Sequence, residues 1–207
     1  MVRQEERRAS TRAAFVQAAA DSLLANGVSG FTIADVVSRS GMSNGALFRY
    51  FPTRTDLLAS TVEFVFARAR DQYAERYAAL TISGPDAITP QVLLTLLWTV
   101  MDDPSVAMVY EVYAVARTDS ALQMAIAPMI RDHVELLTQL GRDVVVETTD
   151  SDPVVVDEMI SLAILAMQGL VLSRPVVPEP DDGERLIATL AKAAEHRLDF
   201  RVESTGR

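Results

Sequence analysis

The stretch from Gly27 to Leu58 constrains the fold more than any other, because it holds three helix starts in close succession. Thr32-Ile33-Ala34-Asp35 sets a hydroxyl three positions before an acid, the pattern of a capping box. Phe31 before it and Val36 after it stand where a hydrophobic staple belongs. Thr53-Arg54-Thr55-Asp56 repeats the arrangement, flanked by Pro52 and Leu57. Between them Ser43 opens a third helix, with Met42 and Leu47 in staple positions and Ala46 where a reciprocal acid would stand. Ser40-Gly41-Met42-Ser43 is a sharp turn, and helices of about 33–40 and 44–50 joined by it make a helix-turn-helix.

The helix opened by Ser43 has two dissimilar sides. At about 100° per residue, Asn44, Gly45, Phe48 and Arg49 share an arc of roughly 140°. Leu47 points elsewhere, toward Ile33, Val36 and Val37 of the preceding helix. The outward arc offers an amide and a guanidinium, both able to make paired hydrogen bonds to base edges in a major groove. It also offers a glycine that lets backbone approach and an aromatic edge that can touch a thymine methyl. Around it, Thr32, Ser43, Tyr50 and Arg54 and the free N–H groups of helix starts suit phosphate oxygens. Blander readings stand beside these: Tyr50 as a ring filling the gap to the next helix, Phe48 as ordinary core, and Arg49 and Arg54 as solvated surface charges. Arg3, Arg7, Arg8 and Arg12 are candidates for an arm on a nucleic-acid backbone, while the first three read more readily as a frayed, solvated terminus.

Elsewhere proline and glycine are sparse, strand-like alternation is nearly absent, and the chain reads as all-α. A first helix runs from about 6 to 26 and stops at Gly27, with Phe15, Ala18, Ala19, Ser22 and Leu23 on one face. Further helices fit about 54–79, 90–102, 105–117, 120–148, 153–173 and 182–201. Thr81 to Thr89 is a loop, and Arg174-Pro175-Val176-Val177-Pro178-Glu179-Pro180 is a connector that cannot stay helical. With 49% hydrophobic and 23% charged residues among 207, the chain can pack a core. No apolar run is expected to cross a bilayer, which takes roughly 18 to 20 residues. The charged start lacks an apolar stretch after it, so no signal peptide is expected, and a chain without cysteine is placed in the cytoplasm by default.

Charge is uneven. The net charge is -9, yet residues 1–60 hold seven arginines against five acids. A mildly basic head on an acidic body permits nucleic-acid binding through one end only.

Gly27-Val28-Ser29-Gly30-Phe31-Thr32-Ile33-Ala34-Asp35-Val36-Val37, followed by Gly41-Met42-Ser43-Asn44-Gly45-Ala46-Leu47-Phe48-Arg49-Tyr50-Phe51-Pro52-Thr53-Arg54-Thr55-Asp56-Leu57-Leu58, resembles the N-terminal domain of the TetR family of bacterial transcriptional regulators. The resemblance covers about residues 10–60. It implies a helix-turn-helix DNA-binding domain over 1–60 and a larger helical domain for effector binding and dimerisation over 61–207. It implies a homodimer on a palindromic DNA operator, acting as a repressor under control of a small effector. Carried over by position, Thr32, Ser43, Tyr50 and Arg54 hold the DNA backbone, while Asn44, Gly45, Phe48 and Arg49 face the major groove. Ala46, Phe48 and Arg49 depart from frequent family choices, which bears on operator sequence.

In the acidic body, Met159 to Leu172 is apolar nearly all round, and Leu186, Ile187, Leu190, Ala194 and Leu198 form a stripe. These two helices are expected to pair with their symmetry mates, through Ile160, Ile164, Met167, Val171, Leu186, Leu190 and Ala194. The competing reading is a central helix of the monomer. Aromatics and methionines, namely Phe66, Trp98, Met101, Tyr110, Tyr113, Met129, His133 and Met167, are expected to line a pocket for a largely apolar effector. Ordinary core is the competing reading here too. A cavity of a few hundred Å³ lined by that set separates a ligand-controlled regulator from one with a filled core. No cofactor or metal is expected, since the only histidines, His133 and His196, lie in distant segments. An enzyme is disfavoured by the lack of cysteine, of a Gly-rich phosphate loop and of a Gly-x-Ser-x-Gly elbow. A helical scaffold that never meets DNA is the remaining class.

Overall fold

A computed structural model of the chain describes residues 2–82, 89–146, 149–177 and 183–198. They form α1 (Val2–Gly30), α2 (Ile33–Ser40), α3 (Asn44–Tyr50), α4 (Arg54–Thr81), α5 (Pro90–Met101), α6 (Pro104–Ala116), α7 (Ser120–Val146), α8 (Pro153–Ser173) and α9 (Glu184–Arg197). The fold is all-α. Local chemistry accounts for most boundaries. Pro90, Pro104 and Pro153 each open a helix behind a side-chain cap from Thr89, Asp103 and Asp152. The short helices α2 and α3 span the residues their caps prescribe. The first helix differs: it begins at Val2, and Gly27 interrupts it at φ 64°, ψ 179° before one more turn to Gly30. Of the connector after α8, Arg174 to Val177 form a turn, and Pro178 to Pro180 lie outside the described residues. So do the residues expected to extend the last helix beyond Leu198.

Two compact units emerge, and they do not divide the sequence at a single break near residue 60. The first comprises residues 1–70 and 103–130, the second 71–102 and 131–207. The first unit recruits α6, which lies against α1 and buries Val106, Val109, Tyr110 and Val112. The rest of its core comes from Phe15, Val16, Ala19 and Leu23 of α1, Phe31, Val36, Leu47 and Phe51 of the helix-turn-helix, and Leu57, Leu58 and Val62 of α4. Each valine, leucine and phenylalanine among them contributes about 1.5–3 kcal/mol by leaving water, and together they fix the face that α3 leaves outward.

In the second unit α5, α8 and α9 pack on one another. Gly183, at φ 92°, opens α9 beneath Trp98, where an added Cβ would come within 2.8 Å of the indole. Arg174, just past α8, pairs with Asp102 at 2.5 Å and lies 5.9 Å over the Trp98 ring. Arg142 of α7 grips Asp157 of α8 with two hydrogen bonds of 2.9 and 2.6 Å. That pairing holds the Asp157 carboxyl below the usual carboxylate range.

The expectation that no apolar run crosses a bilayer meets one helix of borderline composition, α8. Its 21 residues, with mean hydropathy 1.8 over the most apolar 18, have the length and composition of a membrane span. Only 28% of that stretch is buried within the chain. The sequence concealed this because Asp157 and Glu158 split the apolar run near its start.

Candidate nucleic-acid interface

The site is built by caps. Thr32 Oγ1 accepts from Asp35 N–H at 3.2 Å, and Ser43 Oγ accepts from Ala46 N–H at 3.2 Å. Each hydroxyl keeps its own proton to donate outward. Between the helices Gly41 turns the chain at φ 67° and donates its N–H to Val37 O. A side chain there would be strained, so glycine makes the tight approach of α2 to α3 accessible. The box at the start of α4 is complete: Asp56 Oδ2 accepts from Thr53 N–H at 3.0 Å, and Asp56 N–H donates to Thr53 Oγ1 at 3.1 Å. The box at α2 is only half made. The Asp35 carboxylate accepts from Arg39 Nε at 2.6 Å and from Asn26 Nδ2 at 3.0 Å instead of reaching back to Thr32. Its pKa is lowered, first by the Ser22 hydroxyl and then by Arg39. Ser22 Oγ is itself fully buried and short of strict hydrogen-bond geometry with any partner.

These anchors orient α3. Leu47 is fully buried, while Asn44, Gly45 and Arg49 are exposed. Phe48 is 46% exposed, so it is no core residue. An added Cβ at Gly45 would meet nothing within 4 Å. A glycine within a helix costs roughly 0.5–1 kcal/mol relative to alanine, and nothing in the chain itself requires one there. Tyr50 is half-buried, its ring 6.1 Å from that of Phe15 and 6.5 Å from that of Phe51. It packs and yet keeps an edge on the same side as Arg49.

Arg54 differs from expectation in its surroundings. Its Nη2 donates to Val28 O at 3.2 Å, and its guanidinium lies 5.2 Å over Phe31. Glu111 of α6 accepts from Val28 N–H at 3.4 Å. One residue in the last turn of α1, just past Gly27, is thus held on both sides of its backbone. Sequence reasoning missed this because the partners lie 26 and 83 residues away.

Residues 15–61 match the family described as bacterial regulatory proteins, tetR family. That segment, and with it the helix-turn-helix, is of the TetR type. An uncharacterised HTH-type transcriptional regulator of Mycobacterium tuberculosis is 27% identical over 190 residues, covering 90% of this chain and 94% of the relative. Among solved structures, a transcriptional regulator from a Rhodococcus species superposes with a TM-score of 0.72 at 17% identity, covering 92% of this chain and 99% of that one. The multidrug binding protein EbrR, solved with imidazole, gives a TM-score of 0.58 at 20% identity over 94% of this chain and 97% of that one. With that segment and these relatives, the chain reads as a DNA-binding transcriptional regulator rather than an enzyme.

Beyond the DNA-binding part, the chain departs from the residue choices made for its body. In the second unit a cavity of about 90 Å³ is lined by side chains that include Tyr73, Leu94, Leu137, Met159, Ala163 and Leu190. Nearly all of its lining is aliphatic. Burial pushes the Tyr73 hydroxyl, its main polar group, up to about 12. None of Phe66, Trp98, Met101, Tyr110, Tyr113, Met129, His133 or Met167 lines it. Phe66, Trp98, Met101, Tyr110 and Met167 are instead buried core, His133 is 9% exposed, and the set divides between the two units. Large side chains were placed in a pocket, but helix packing claims them first.

The pairing residues need a similar correction. Ile164, Met167, Val171, Leu190 and Ala194 are buried within the chain, and Ile160 and Leu186 are half-buried. The face of α8 left uncovered is Val154, Leu162, Leu165, Gly169 and Leu172, with the last four spaced by three and four residues. An added Cβ at Gly169 meets nothing within 4 Å. The helix is apolar all round, so its sequence has no polar side to mark which way it turns.

Proposed function

We propose that the chain is a homodimeric repressor that reads a palindromic operator and is released by a small, uncharged, largely apolar effector. The DNA part rests on one observation: α3 presents Asn44, Gly45, Phe48 and Arg49 outward from a fully buried Leu47. Asn44 and Arg49 form paired hydrogen bonds with adenine and guanine edges. Gly45 lets the α3 backbone come close, and Phe48 meets a thymine methyl. The capping hydroxyls of Thr32 and Ser43, with Tyr50, donate to phosphates. Arg54 acts chiefly as a positioning residue through Val28, with its remaining donors open to a phosphate.

Two copies pair through the uncovered face of α8, with α9 beside it. Leu162, Leu165 and Leu172 supply apolar area, and Gly169 lets the helices approach. A palindrome demands two α3 helices about 34 Å apart, one duplex turn, and twofold pairing is what presents two of them. Such a protein acts in the cytoplasm, where the chromosome lies.

The effector occupies the aliphatic cavity of the second unit. A lining without cations and with one buried phenol favours a neutral ligand. EbrR, crystallised with small ligands, supports such a site in a related fold. Helices α4 and α7 each run through residues of both units, so a ligand that reorders the second unit acts on helices continued in the first. A coupling of about 1–3 kcal/mol shifts operator affinity 5- to 150-fold. A regulator with a filled core and no effector is the second reading. It is favoured by the cavity's volume, below the roughly 300–1,000 Å³ of common ligand sites.

One titration separates them. Sequences selected from random duplexes supply the operator, and fluorescence anisotropy follows binding while a neutral aromatic hydrocarbon is added. Release by the hydrocarbon in the native chain, abolished in Ala163→Leu, supports the effector site. Saturable uptake without any change in operator affinity refutes it.

A further inference from the structure

We propose that the first turns of α1 belong to the DNA-binding surface, where Arg7 and Arg8, with Gln4 and Thr11, hold backbone phosphates that flank the bases read by α3. The inference rests on the operator-binding reading above and extends it to a part of the chain whose charges had looked like a frayed end. Gln4, Arg7, Arg8 and Thr11 of α1 share a cleft of about 430 Å³ with Arg49 and Tyr50, the last turn of α3. Three guanidiniums, two hydroxyls and an amide line it, and no carboxylate does.

The arrangement follows from helical spacing. Positions 4, 7, 8 and 11 lie within about 100° of one another, whereas Glu5 and Glu6 fall outside that arc. The helix is continuous from Val2, so these side chains are carried on a rod. Phe15 and Val16, fully or almost fully buried, seat the rod one turn further on. Arg12 shows what an internally engaged arginine looks like here: it donates to Ser60 Oγ at 2.8 Å and lies 5.3 Å over Phe51. Among the described residues, no carboxylate pairs with Arg7, Arg8 or Arg49. Converging cations repel one another, and an anion in the cleft relieves that repulsion. Arg49 lies both in this cleft and on the outward arc of α3. An anion bound here is therefore continuous with whatever α3 reads, which selects the duplex backbone over a free small anion. From Gln4 to Thr11 the helix rises about 10 Å, enough to follow more than one phosphate of a strand whose charges recur every ~3.4 Å of axis.

The test uses the full chain and duplexes selected from random sequence, with affinity measured against salt. Arg7→Ala/Arg8→Ala is expected to weaken binding about tenfold or more near 0.1 M salt. It should also reduce the log-log salt slope by about two, at 0.9 per phosphate. The loss falls equally on selected and unrelated duplexes, and the selected consensus is unchanged. Arg7→Lys/Arg8→Lys restores the slope. An unaltered slope in the alanine double variant overturns the inference, while a changed base preference in Asn44→Ala in the same series leaves the reading of α3 intact. Absence of duplex binding by the native chain overturns both.

Discussion

Replacing Leu165 by alanine tests the pairing surface with little disturbance of the monomer. Leu165 is 66% exposed in a single copy, so its packing within the chain is slight. Full burial of a leucine side chain stabilises by about 1.5–3 kcal/mol. The exposed two thirds of Leu165 therefore contribute about 1–2 kcal/mol per copy when a partner covers them. A twofold interface uses the residue twice, giving about 2–4 kcal/mol per dimer, or a dissociation constant weakened roughly 30- to 700-fold at 1.4 kcal/mol per decade. Sedimentation equilibrium across micromolar concentrations reads that change. Met167→Ala is the contrasting variant: with the side chain fully buried, it lowers folding stability by about 2–5 kcal/mol and leaves association nearly intact at temperatures where the chain is folded. A Leu165→Ala dissociation constant within threefold of the native value would refute the assignment of this face.

Gly45→Ala should stabilise the free chain by up to about 0.5–1 kcal/mol while weakening operator binding, read from denaturant midpoints and anisotropy; unimpaired binding means that α3 does not approach DNA closely. Arg54→Ala should destabilise the fold by about 1–2 kcal/mol through loss of its bond to Val28 O and its contact with Phe31, with a salt slope reduced by less than one. Because the folded chain holds Asp35 below its ordinary 3.8, it takes up that proton less readily than the unfolded chain. The stability difference between the native chain and Asp35→Asn should be full above that value and close as pH falls through the folded-state pKa, in urea melts from neutral to acid pH.

The sequence disclosed what short-range chemistry decides. Thr32, Ser43 and Thr53 cap the helices that follow them, and Gly41 occupies a left-handed turn, so α2 and α3 were readable from a few neighbouring residues. Helix spacing separated Leu47 from Asn44 and Arg49 for the same reason. The body resisted because its decisive contacts are remote. An apolar helix such as α8 has no polar stripe to orient it, and only its packing against α5 and α9 buries Ile164 and Met167 while leaving Leu165 outside. Trp98 was open to a role in a ligand site until Gly183 and Arg174 enclosed it. Arg54 has phosphate-binding chemistry, and only the carbonyl of Val28 shows where that chemistry is directed.

The double grip on Val28 has a genetic corollary. A peptide fastened from α6 on its nitrogen side and from α4 on its oxygen side works like the pivot of a balance, fixing the attitude of everything suspended after it. A hunt for alleles that lose regulation should therefore return changes at Glu111, a residue with no part in touching nucleic acid, alongside those in α3. Suppressors of such alleles would be expected near the pivot, where a small compensating lean of the reading head restores the fit.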